Sequence, residues 1–265
     1  MDLRGQPFFF ERRGGGAPLL LIGGTGGDLR RPETRFDGPL PRRFDVLAWD
    51  QRGMGQSWKG DGPFTMADYA DDAAALMDSQ GWESADVLGI SFGGMVAQEP
   101  VLRHPAKVRR LILCCTAAGG AGGASFPFHE LPEMSADRLA DLRVKIADTR
   151  HDEAWAAANP GPYRMLQALA MADPYRGEPG HVDGARRQIA ARATHDSWAR
   201  LPQIGCPVLV MGGNYDGIAR PAVVTALANR IPGAQCRFFE GGHLFMLEDP
   251  AAYAAMVEFL SARAA

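Results

Sequence analysis

Residues 85–94 read ADVLGISFGG, and the prediction of the fold starts from them. Its first six residues form an apolar-rich run that predicts a buried strand, Ala85–Ile90, and the residues from Phe92 onward predict a helix. The turn between them matches Gly-x-Ser-x-Gly, with Ser91 at its centre. Such a turn lifts the serine Oγ clear of the sheet, and only small residues two positions before and after it let strand and helix approach so closely. We therefore predict that Ser91 is a nucleophile.

On both sides of this turn, short apolar runs alternate with helical patterns, which is typical of βαβ units and a parallel sheet. The interiors of the runs, such as LLLI and LILCC, are almost wholly apolar, as expected of strands covered on both faces. The fold class is therefore α/β, with a mostly parallel, doubly wound sheet. The predicted strands are Phe8–Glu11, Pro18–Ile22, Arg43–Trp49, Ala85–Ile90, Val108–Cys115, Val208–Gly212 and Gln235–Glu240.

Two further helices are marked by both an apolar stripe and capping residues. Apolar residues recur at helical spacing from Met66 to Met77, with Thr65 placed to cap the first turn and Gly81 placed to end the helix. A second stripe follows Asp249, which can cap a helix that has proline at its first position. We therefore predict helices at both places.

The alternation of strands and helices stops in the middle of the chain. We interpret residues 121–201 as a helical cap inserted over the carboxyl edge of the sheet, and residues 1–120 and 202–265 as the α/β core. No strand is predicted in the cap. Its predicted helical stretches are Ser135–Arg150, Glu153–Ala158, Tyr163–Met171 and Val182–Arg200.

A serine hydroxyl is a weak nucleophile until a base takes its proton, and the base needs an acid to orient it. Of the six histidines, His243 follows a predicted strand in a Gly-Gly-His turn, at the edge where ligands bind in open α/β sheets. Asp216 is the only carboxylate in the turn after the preceding predicted strand, whereas Glu248 and Asp249 follow the histidine and resemble helix-cap residues. We predict a catalytic triad of Ser91, Asp216 and His243, in that chain order.

Backbone amides must stabilise the negative charge that develops on a substrate oxygen. One predicted donor is the amide of Phe92, where the dipole of the helix that starts there adds to the effect. The second is expected in the loop GGTGGD at residues 23–28, where Thr25 would present its amide. A nucleotide-phosphate loop is the competing interpretation, but Leu29 occupies the place of the third glycine in Gly-x-Gly-x-x-Gly.

Composition and charge exclude several other classes of protein. The chain has 265 residues, of which 46% are hydrophobic and 22% charged, and these ordinary values exclude collagen, a coiled coil and wholesale disorder. The net charge of −3 creates no strong field for nucleic acid or an anionic membrane, and no apolar run is long enough to span a bilayer. The four cysteines lack Cys-x-x-Cys spacing, so we interpret them as small buried residues of a cytoplasmic protein. Neither a metal nor a cofactor is predicted.

Taken together, several segments resemble the α/β-hydrolase superfamily, in particular small bacterial hydrolases similar to 3-oxoadipate enol-lactonases and cofactor-free haloperoxidase-like esterases. The His-Gly that usually precedes the oxyanion residue in this family is Gly23-Gly24 here, and Arg52 falls in a stretch that is structural in the family. The segments that carry the resemblance are LLLIGGTGGD (19–28), DQRGMGQS (50–57), GISFGGM (89–95), CPVLVMGGNYDGI (206–218) and EGGHLFMLEDP (240–250).

The resemblance implies a hydrolase that cleaves a small carboxylic ester or lactone through an acyl-enzyme intermediate, without a cofactor. The same triad also serves C–C bond hydrolases and perhydrolases, and the fold also serves ligand-binding receptors without catalysis. Substrate choice is expected to depend on the cap, where Phe128, Trp155 and Met165 are candidates to line an apolar pocket.

Overall fold

The computed structural model describes residues 1–31 and 36–262 of the chain. Its central feature is a seven-stranded sheet with the order β3-β5-β4-β6-β7-β8-β9, in which every neighbouring pair is parallel except β3 with β5. A hairpin of β1 and β2 precedes the sheet. The strands are β1 Asp2–Leu3, β2 Gln6–Pro7, β3 Phe10–Gly14, β4 Ala17–Ile22, β5 Phe44–Trp49, β6 Ala85–Ile90, β7 Val108–Cys114, β8 Val208–Gly213 and β9 Gln235–Phe239.

Helices cover the sheet and account for its apolar strands. Helix α2 packs on β6 and β7 with α1 beside it, and α7 packs on β8 and β9. No helix among the described residues is long and apolar enough to cross a membrane. The α-helices are α1 Met66–Ser79, α2 Phe92–Arg103, α3 Ala136–Ala147, α4 Glu153–Ala158, α5 Pro160–Met171, α6 His181–Ala193, α7 Pro221–Arg230, α8 Phe245–Glu248 and α9 Pro250–Ser261. Short 3₁₀ helices span Leu40–Arg42, Pro105–Lys107, Gly120–Gly122, Phe128–Glu130 and Leu201–Gln203.

The predicted strands agree with the observed ones, six of them to within one residue at each end. The exception is the first, which runs over Phe10–Gly14 instead of Phe8–Glu11. Its charged residues are acceptable because β3 is an edge strand: Arg12 pairs with Asp45 of β5 on the exposed side. Phe8 instead closes the preceding hairpin, donating its amide to the Met1 carbonyl (2.8 Å).

The two helices predicted from stripes and caps are present. At the start of α1, Thr65 and Asp68 form a reciprocal capping box, and Gly81 follows the last turn with φ +71°. At the start of α9, the Asp249 carboxylate accepts the amide of Ala251. Both caps satisfy amides that have no partner inside their helix, so local sequence is enough to fix these ends.

The four cysteines differ in burial, so the expectation that all are buried was wrong. Cys114 and Cys115 are buried at the end of β7, whereas Cys206 is half-buried and Cys236 is exposed. Cys236 lies on β9, the outermost strand on its side of the sheet. An edge strand has a neighbour on one side only, and this explains the exposure.

Residues 121–201, which we call the cap segment, contain α3 to α6 and no strand. Two predicted helices extend too far. The first ends at Ala147 instead of Arg150, and the last ends at Ala193 instead of Arg200. In both places the residues beyond the helix make hydrogen bonds to the core that a continued helix would forbid, and a local periodic pattern cannot report such distant partners.

The chain that follows α6 passes through the protein interior. After α6, the amide of Ser197 donates to the Ala118 carbonyl (2.8 Å) just beyond β7. Next to it, His195 is 6% exposed, and neither of its ring nitrogens has a hydrogen-bond partner among the described residues. Because burial disfavours the imidazolium form, it lowers the pKa of His195 to about 4.

We expect the free energy of unfolding to decrease as the pH falls below about 6.5, where the unfolded chain begins to protonate His195. The folded protein takes up that proton only near pH 4, so between these values the unfolded state binds more protons and is favoured. This residue would contribute at most about 1.4 kcal/mol per pH unit.

Chemical denaturation of the wild type and His195→Asn at about pH 7 and pH 5 measures this contribution. The variant should lose part of the pH dependence, whereas His129→Asn, at an exposed histidine, should retain it. Equal pH dependence in the wild type and His195→Asn would contradict the assignment.

Candidate active site

The turn around Ser91 requires glycine on both sides because three stretches of backbone meet there. Ser91 has φ +55° and ψ −116°, a conformation that non-glycine residues rarely adopt. A Cβ atom on Gly93 would lie 2.1 Å from the Ile22 carbonyl oxygen, and one on Gly89 would lie 2.4 Å from the Gly93 carbonyl oxygen. Neither Gly89 nor Gly93 can be replaced by a residue with a side chain. Because glycine stands at both positions, β6 and α2 approach closely, and Ser91 lies in the turn between them.

Two loops from distant parts of the sequence bring His243 and Asp216 to this serine. His243 Nε2 lies 2.9 Å from Ser91 Oγ, and His243 Nδ1 lies 2.8 Å from Asp216 Oδ2. The other carboxylate oxygen, Oδ1, accepts the amides of Ile218 (2.7 Å) and Ala219 (2.9 Å). Asp216 thus accepts hydrogen bonds from His243 and from two backbone amides. Its side chain is fully buried, whereas the His243 side chain is 11% exposed.

The other two carboxylates considered from the sequence lie elsewhere. Glu248 accepts the Gly242 amide (3.0 Å) and pairs with Arg150, and Asp249 caps α9. Neither is hydrogen-bonded to His243. The structure thus brings together the three residues of the predicted triad.

The predicted oxyanion donors lie on either side of the serine. Phe92 is the first residue of α2, so its amide points out of the positive end of the helix. Across the turn, the Gly24 Cα is close enough to the serine that a Cβ atom there would lie 3.4 Å from Ser91 Cβ. Thr25 is next in the chain, and its amide makes no hydrogen bond to another described residue.

Buried side chains hold this glycine-rich loop from two directions. From the core, Gln51 Nε2 donates to the Gly23 carbonyl (2.8 Å). From the cap segment, Gln188 Oε1 accepts the Gly26 amide (2.7 Å), and this side chain is fully buried on α6. The loop therefore has a fixed backbone although glycine itself is flexible.

A feature that the sequence did not predict is the contact between the end of α3 and both triad loops. The Ile146 carbonyl accepts the Gly217 amide (3.0 Å), beside Asp216, and the Ala147 carbonyl accepts the amide of His243 itself (2.6 Å). The helix stops here, so its last carbonyls are free to accept from outside the helix. The cap segment thus supports the acid and the base at once.

Arg150 provides a further link between the cap segment and the turn that carries His243. Its guanidinium bonds the buried carboxylate of Asp148 (Nε to Oδ1, 3.0 Å), reaches Glu248 Oε2 (2.6 Å) and lies 4.4 Å from the ring centre of Tyr215. Burial by itself would raise the pKa of the Asp148 carboxyl, but the hydrogen bonds from Arg150 outweigh it and hold that pKa below its usual range. Because Glu248 also accepts the Gly242 amide, Arg150 braces the turn that carries the histidine.

The three candidate pocket residues are dispersed. Phe128 packs against the guanidinium of Arg192, with 4.6 Å between its ring centre and the guanidinium carbon. Trp155 is half-buried between His151 and Tyr163. Met165 is 66% exposed on α5, and no geometry supports its assignment to the substrate pocket, which stays a prediction.

Comparisons with known proteins agree with this architecture. Residues 17–250 match the family model described as the alpha/beta hydrolase fold. The chain is 32% identical over 273 residues to 2-hydroxymuconate semialdehyde hydrolase from Pseudomonas sp. (strain CF600), covering 94% of this chain and 88% of that protein. It is 28% identical over 242 residues to poly(3-hydroxyalkanoate) depolymerase from Ectopseudomonas oleovorans, covering 91% and 82%. Among solved structures, the enol-lactonase from Burkholderia xenovorans LB400 superposes with a TM-score of 0.77 at 25% identity, covering 98% of both chains.

We expect Arg150→Met to slow the reaction of Ser91 with a fluorophosphonate by roughly tenfold or more, because small displacements of a base from its nucleophile cost that much in rate. The measurement is the labelling rate, with the melting temperature recorded for each variant. Arg237→Met is the matched control, since it removes another partly exposed arginine that pairs with Glu258. A folded Arg150→Met variant that labels at the wild-type rate would show that the brace does not position His243.

Proposed function

The chain belongs to the α/β-hydrolase family, and from this premise we propose that it is a serine hydrolase that cleaves a carboxylic ester or lactone through an acyl-enzyme intermediate. The observation that carries the proposal is the continuous hydrogen-bonded chain from Ser91 Oγ through His243 to Asp216. A nucleophile, a base and an orienting acid in this geometry are what acyl transfer to serine requires.

In the first half of the reaction, Ser91 Oγ attacks the substrate carbonyl carbon while its proton passes to His243 Nε2. The carbonyl oxygen gains negative charge and accepts hydrogen bonds from the amides of Phe92 and Thr25. His243 then gives the proton to the leaving alkoxide, which departs as the alcohol and leaves an acyl group on Ser91. Asp216 stabilises the imidazolium and fixes its tautomer without itself taking a proton.

Water completes the cycle at the same atoms. His243 Nε2 takes a proton from water as its oxygen attacks the acyl carbon, and the same amides hold the oxyanion again. Collapse of this intermediate breaks the bond to Ser91 Oγ, which recovers its proton from His243. The products are a carboxylic acid and a free serine, and for a lactone the alcohol and the acid belong to one molecule.

The names of the similar proteins support a hydrolase function, and they favour two different types of scissile bond. A poly(3-hydroxyalkanoate) depolymerase and an enol-lactonase are named for ester and lactone substrates, which is the reaction we propose. The 2-hydroxymuconate semialdehyde hydrolase favours a second candidate, hydrolysis of a carbon–carbon bond by the same triad. Parallel assays with p-nitrophenyl acetate, a panel of esters and lactones, and 2-hydroxymuconate semialdehyde separate the two. A ligand-binding receptor would react with a fluorophosphonate at Ser91 but barely turn over any of them.

We expect Ser91→Ala and His243→Ala each to reduce kcat for the best ester or lactone to a residual rate of roughly 10³–10⁴-fold over the uncatalysed reaction, the level sustained by the oxyanion hole and binding alone. Both variants should keep the melting temperature of the wild type to within a few degrees, because their side chains act in chemistry more than in packing. Near-normal kcat in either folded variant would contradict the proposal.

The acid can be identified with a matched pair of variants. Asp216→Asn should lower kcat by up to about 10⁴-fold, because an amide beside Nδ1 favours the wrong tautomer of His243. Asp249→Asn removes the same charge nearby but should leave kcat close to normal, since asparagine caps a helix nearly as well as aspartate. If instead Asp249→Asn lowers kcat and Asp216→Asn does not, the catalytic acid is Asp249, at the start of α9.

A further inference from the structure

Gln188, on α6, is a buried side chain that uses only one end of its amide group. It is 0% exposed, and its Oε1 accepts the Gly26 amide (2.7 Å). A backbone N–H can only donate, so the atom that faces Gly26 is the oxygen of the side-chain amide. The other end, Nε2, has no hydrogen-bond partner among the described residues. The contact with the glycine-rich loop is therefore what this glutamine provides.

Gln51 holds the same loop in the complementary way. Its Nε2 donates to the Gly23 carbonyl (2.8 Å), and its Oε1 has no hydrogen-bond partner within residues 1–31 and 36–262. Gln51 is 3% exposed and lies just after β5 in the core, whereas Gln188 belongs to the cap segment. The two glutamines thus bind the loop from different parts of the fold, one at a carbonyl and the other at an amide.

These contacts lie on either side of the peptide unit that carries a predicted oxyanion donor. Of three consecutive units, Gln51 binds the first through the Gly23 carbonyl, and Gln188 binds the third through the Gly26 amide. The middle unit contains the Thr25 amide, which makes no hydrogen bond to another described residue. Adjacent units are joined by only two soft dihedral angles, so holding the outer two limits the orientation of the middle one.

The β-turn at Thr25 makes the loop conformation depend on Gln188. The Gly24 carbonyl accepts the Gly27 amide (3.2 Å), so Thr25 and Gly26 are the central residues of this turn. Gly26 has φ +70° and Thr25 does not have a positive φ, which is the type II pattern. Glycine can also adopt the type I pattern, in which the peptide between the two central residues is flipped. Gln188 Oε1 would then face a carbonyl oxygen instead of an amide, so this side chain selects the type II turn.

Packing alone does not explain a glutamine at position 188. A buried polar atom without a partner is destabilising, and Nε2 is such an atom. Methionine has a similar length, is flexible enough to fill the same space, and would leave no side-chain donor unpaired. A group that is kept at a cost to stability is typical of a functional site.

We propose that Gln188 is a positioning residue for the hydrolytic reaction: from the cap segment, it fixes the turn that presents the Thr25 amide to the substrate oxygen. It acts on the substrate only through that amide. A donor that is already oriented costs no reorganisation while negative charge develops on the oxygen. This inference rests on the proposed hydrolase function and on Thr25 as an oxyanion donor.

The test measures kcat and KM of Gln188→Met for p-nitrophenyl acetate. A misplaced oxyanion donor weakens binding of the transition state and not of the substrate, so kcat should fall by roughly 10- to 100-fold while KM stays close to the wild-type value. Unchanged kcat in the folded variant would overturn the proposal. If Gln188→Met does not fold, Gln188→Asn is judged by the same criterion, because its amide is one methylene too short to reach Gly26.

A second readout separates the oxyanion hole from general damage to the site. In p-nitrophenyl thionoacetate, sulfur replaces the carbonyl oxygen, and sulfur is a weak hydrogen-bond acceptor. Loss of an oriented donor should therefore slow the ester more than the thionoester, and the ratio of their kcat/KM values should fall by roughly tenfold in Gln188→Met. Equal slowing of both substrates would assign Gln188 a structural role and contradict the proposal.

Gln98→Met is the matched control, because Gln98 is also fully buried and also joins the core to the cap segment. Its Nε2 donates to the carbonyls of Gly94 and Ala117, and its Oε1 accepts the Ser197 hydroxyl, so none of its partners lies in the glycine-rich loop. The control should lower the melting temperature but keep the wild-type ratio of ester to thionoester. A ratio that falls as far in the control as in Gln188→Met would also overturn the proposal.

Labelling of Ser91 distinguishes failure of this inference from failure of the proposed function. If the wild type turns over no ester, the hydrolase proposal fails, and the rate at which a fluorophosphonate phosphonylates Ser91 tests Gln188 alone, because the phosphonyl oxygen would use the same amides. Labelling that is roughly tenfold slower in Gln188→Met would support the positioning role. Equal rates in the wild type and the variant, including no labelling of either, would contradict it.

Discussion

The close approach of three backbone segments at the turn between β6 and α2 constrains everything around it. Gly93 packs its Cα directly against the end of β4, where a Cβ atom would lie 2.1 Å from the Ile22 carbonyl oxygen. At this contact Ser91 has a positive φ (+55°, with ψ −116°), α2 begins directly after the serine, and the loop after Ile22 lies beside it. One packing constraint on the backbone thus places both Ser91, the predicted nucleophile, and the predicted oxyanion donors.

The cap segment contacts the loops of the candidate active site directly. The end of α3 accepts amides from both triad loops, and Gln188 on α6 holds the glycine-rich loop. Arg150 joins the same segment to the histidine turn through Glu248. A shift of α3 or α6 would therefore displace the loops that carry Asp216 and His243, or the glycine-rich loop. The alignment of the predicted triad therefore depends on the cap segment as well as on the core.

Buried charge is distributed unequally around the site. Asp216 has three donors and Asp148 is paired with Arg150, so these carboxylates are fully satisfied. Arg192 is also buried, but its hydrogen-bond acceptors are the neutral Ser125 hydroxyl and Phe126 carbonyl, and neither ring nitrogen of His195 has a hydrogen-bond partner among the described residues. Unpaired buried groups cost stability, so the charge compensation at Asp216 and Asp148 favours the fold around the predicted triad.

Features that depend on neighbours in the chain could be predicted from the amino-acid sequence alone. The strand interiors, the starts of α1 and α9, and the turn at Ser91 all follow from local pattern, and six of the seven predicted strands agree with the structure to within one residue at each end. His243 and Asp216 could also be chosen, because parallel strands bring their carboxyl ends to one edge whatever the loops do. The ends of α3 and α6 could not be predicted in this way, because residues 148–150 and 194–200 form hydrogen bonds with groups that are distant in the sequence. The same is true of Arg192: a helical pattern shows an arginine, but its burial against Ser125, Phe126 and Phe128 exists only once the cap segment is packed on the core.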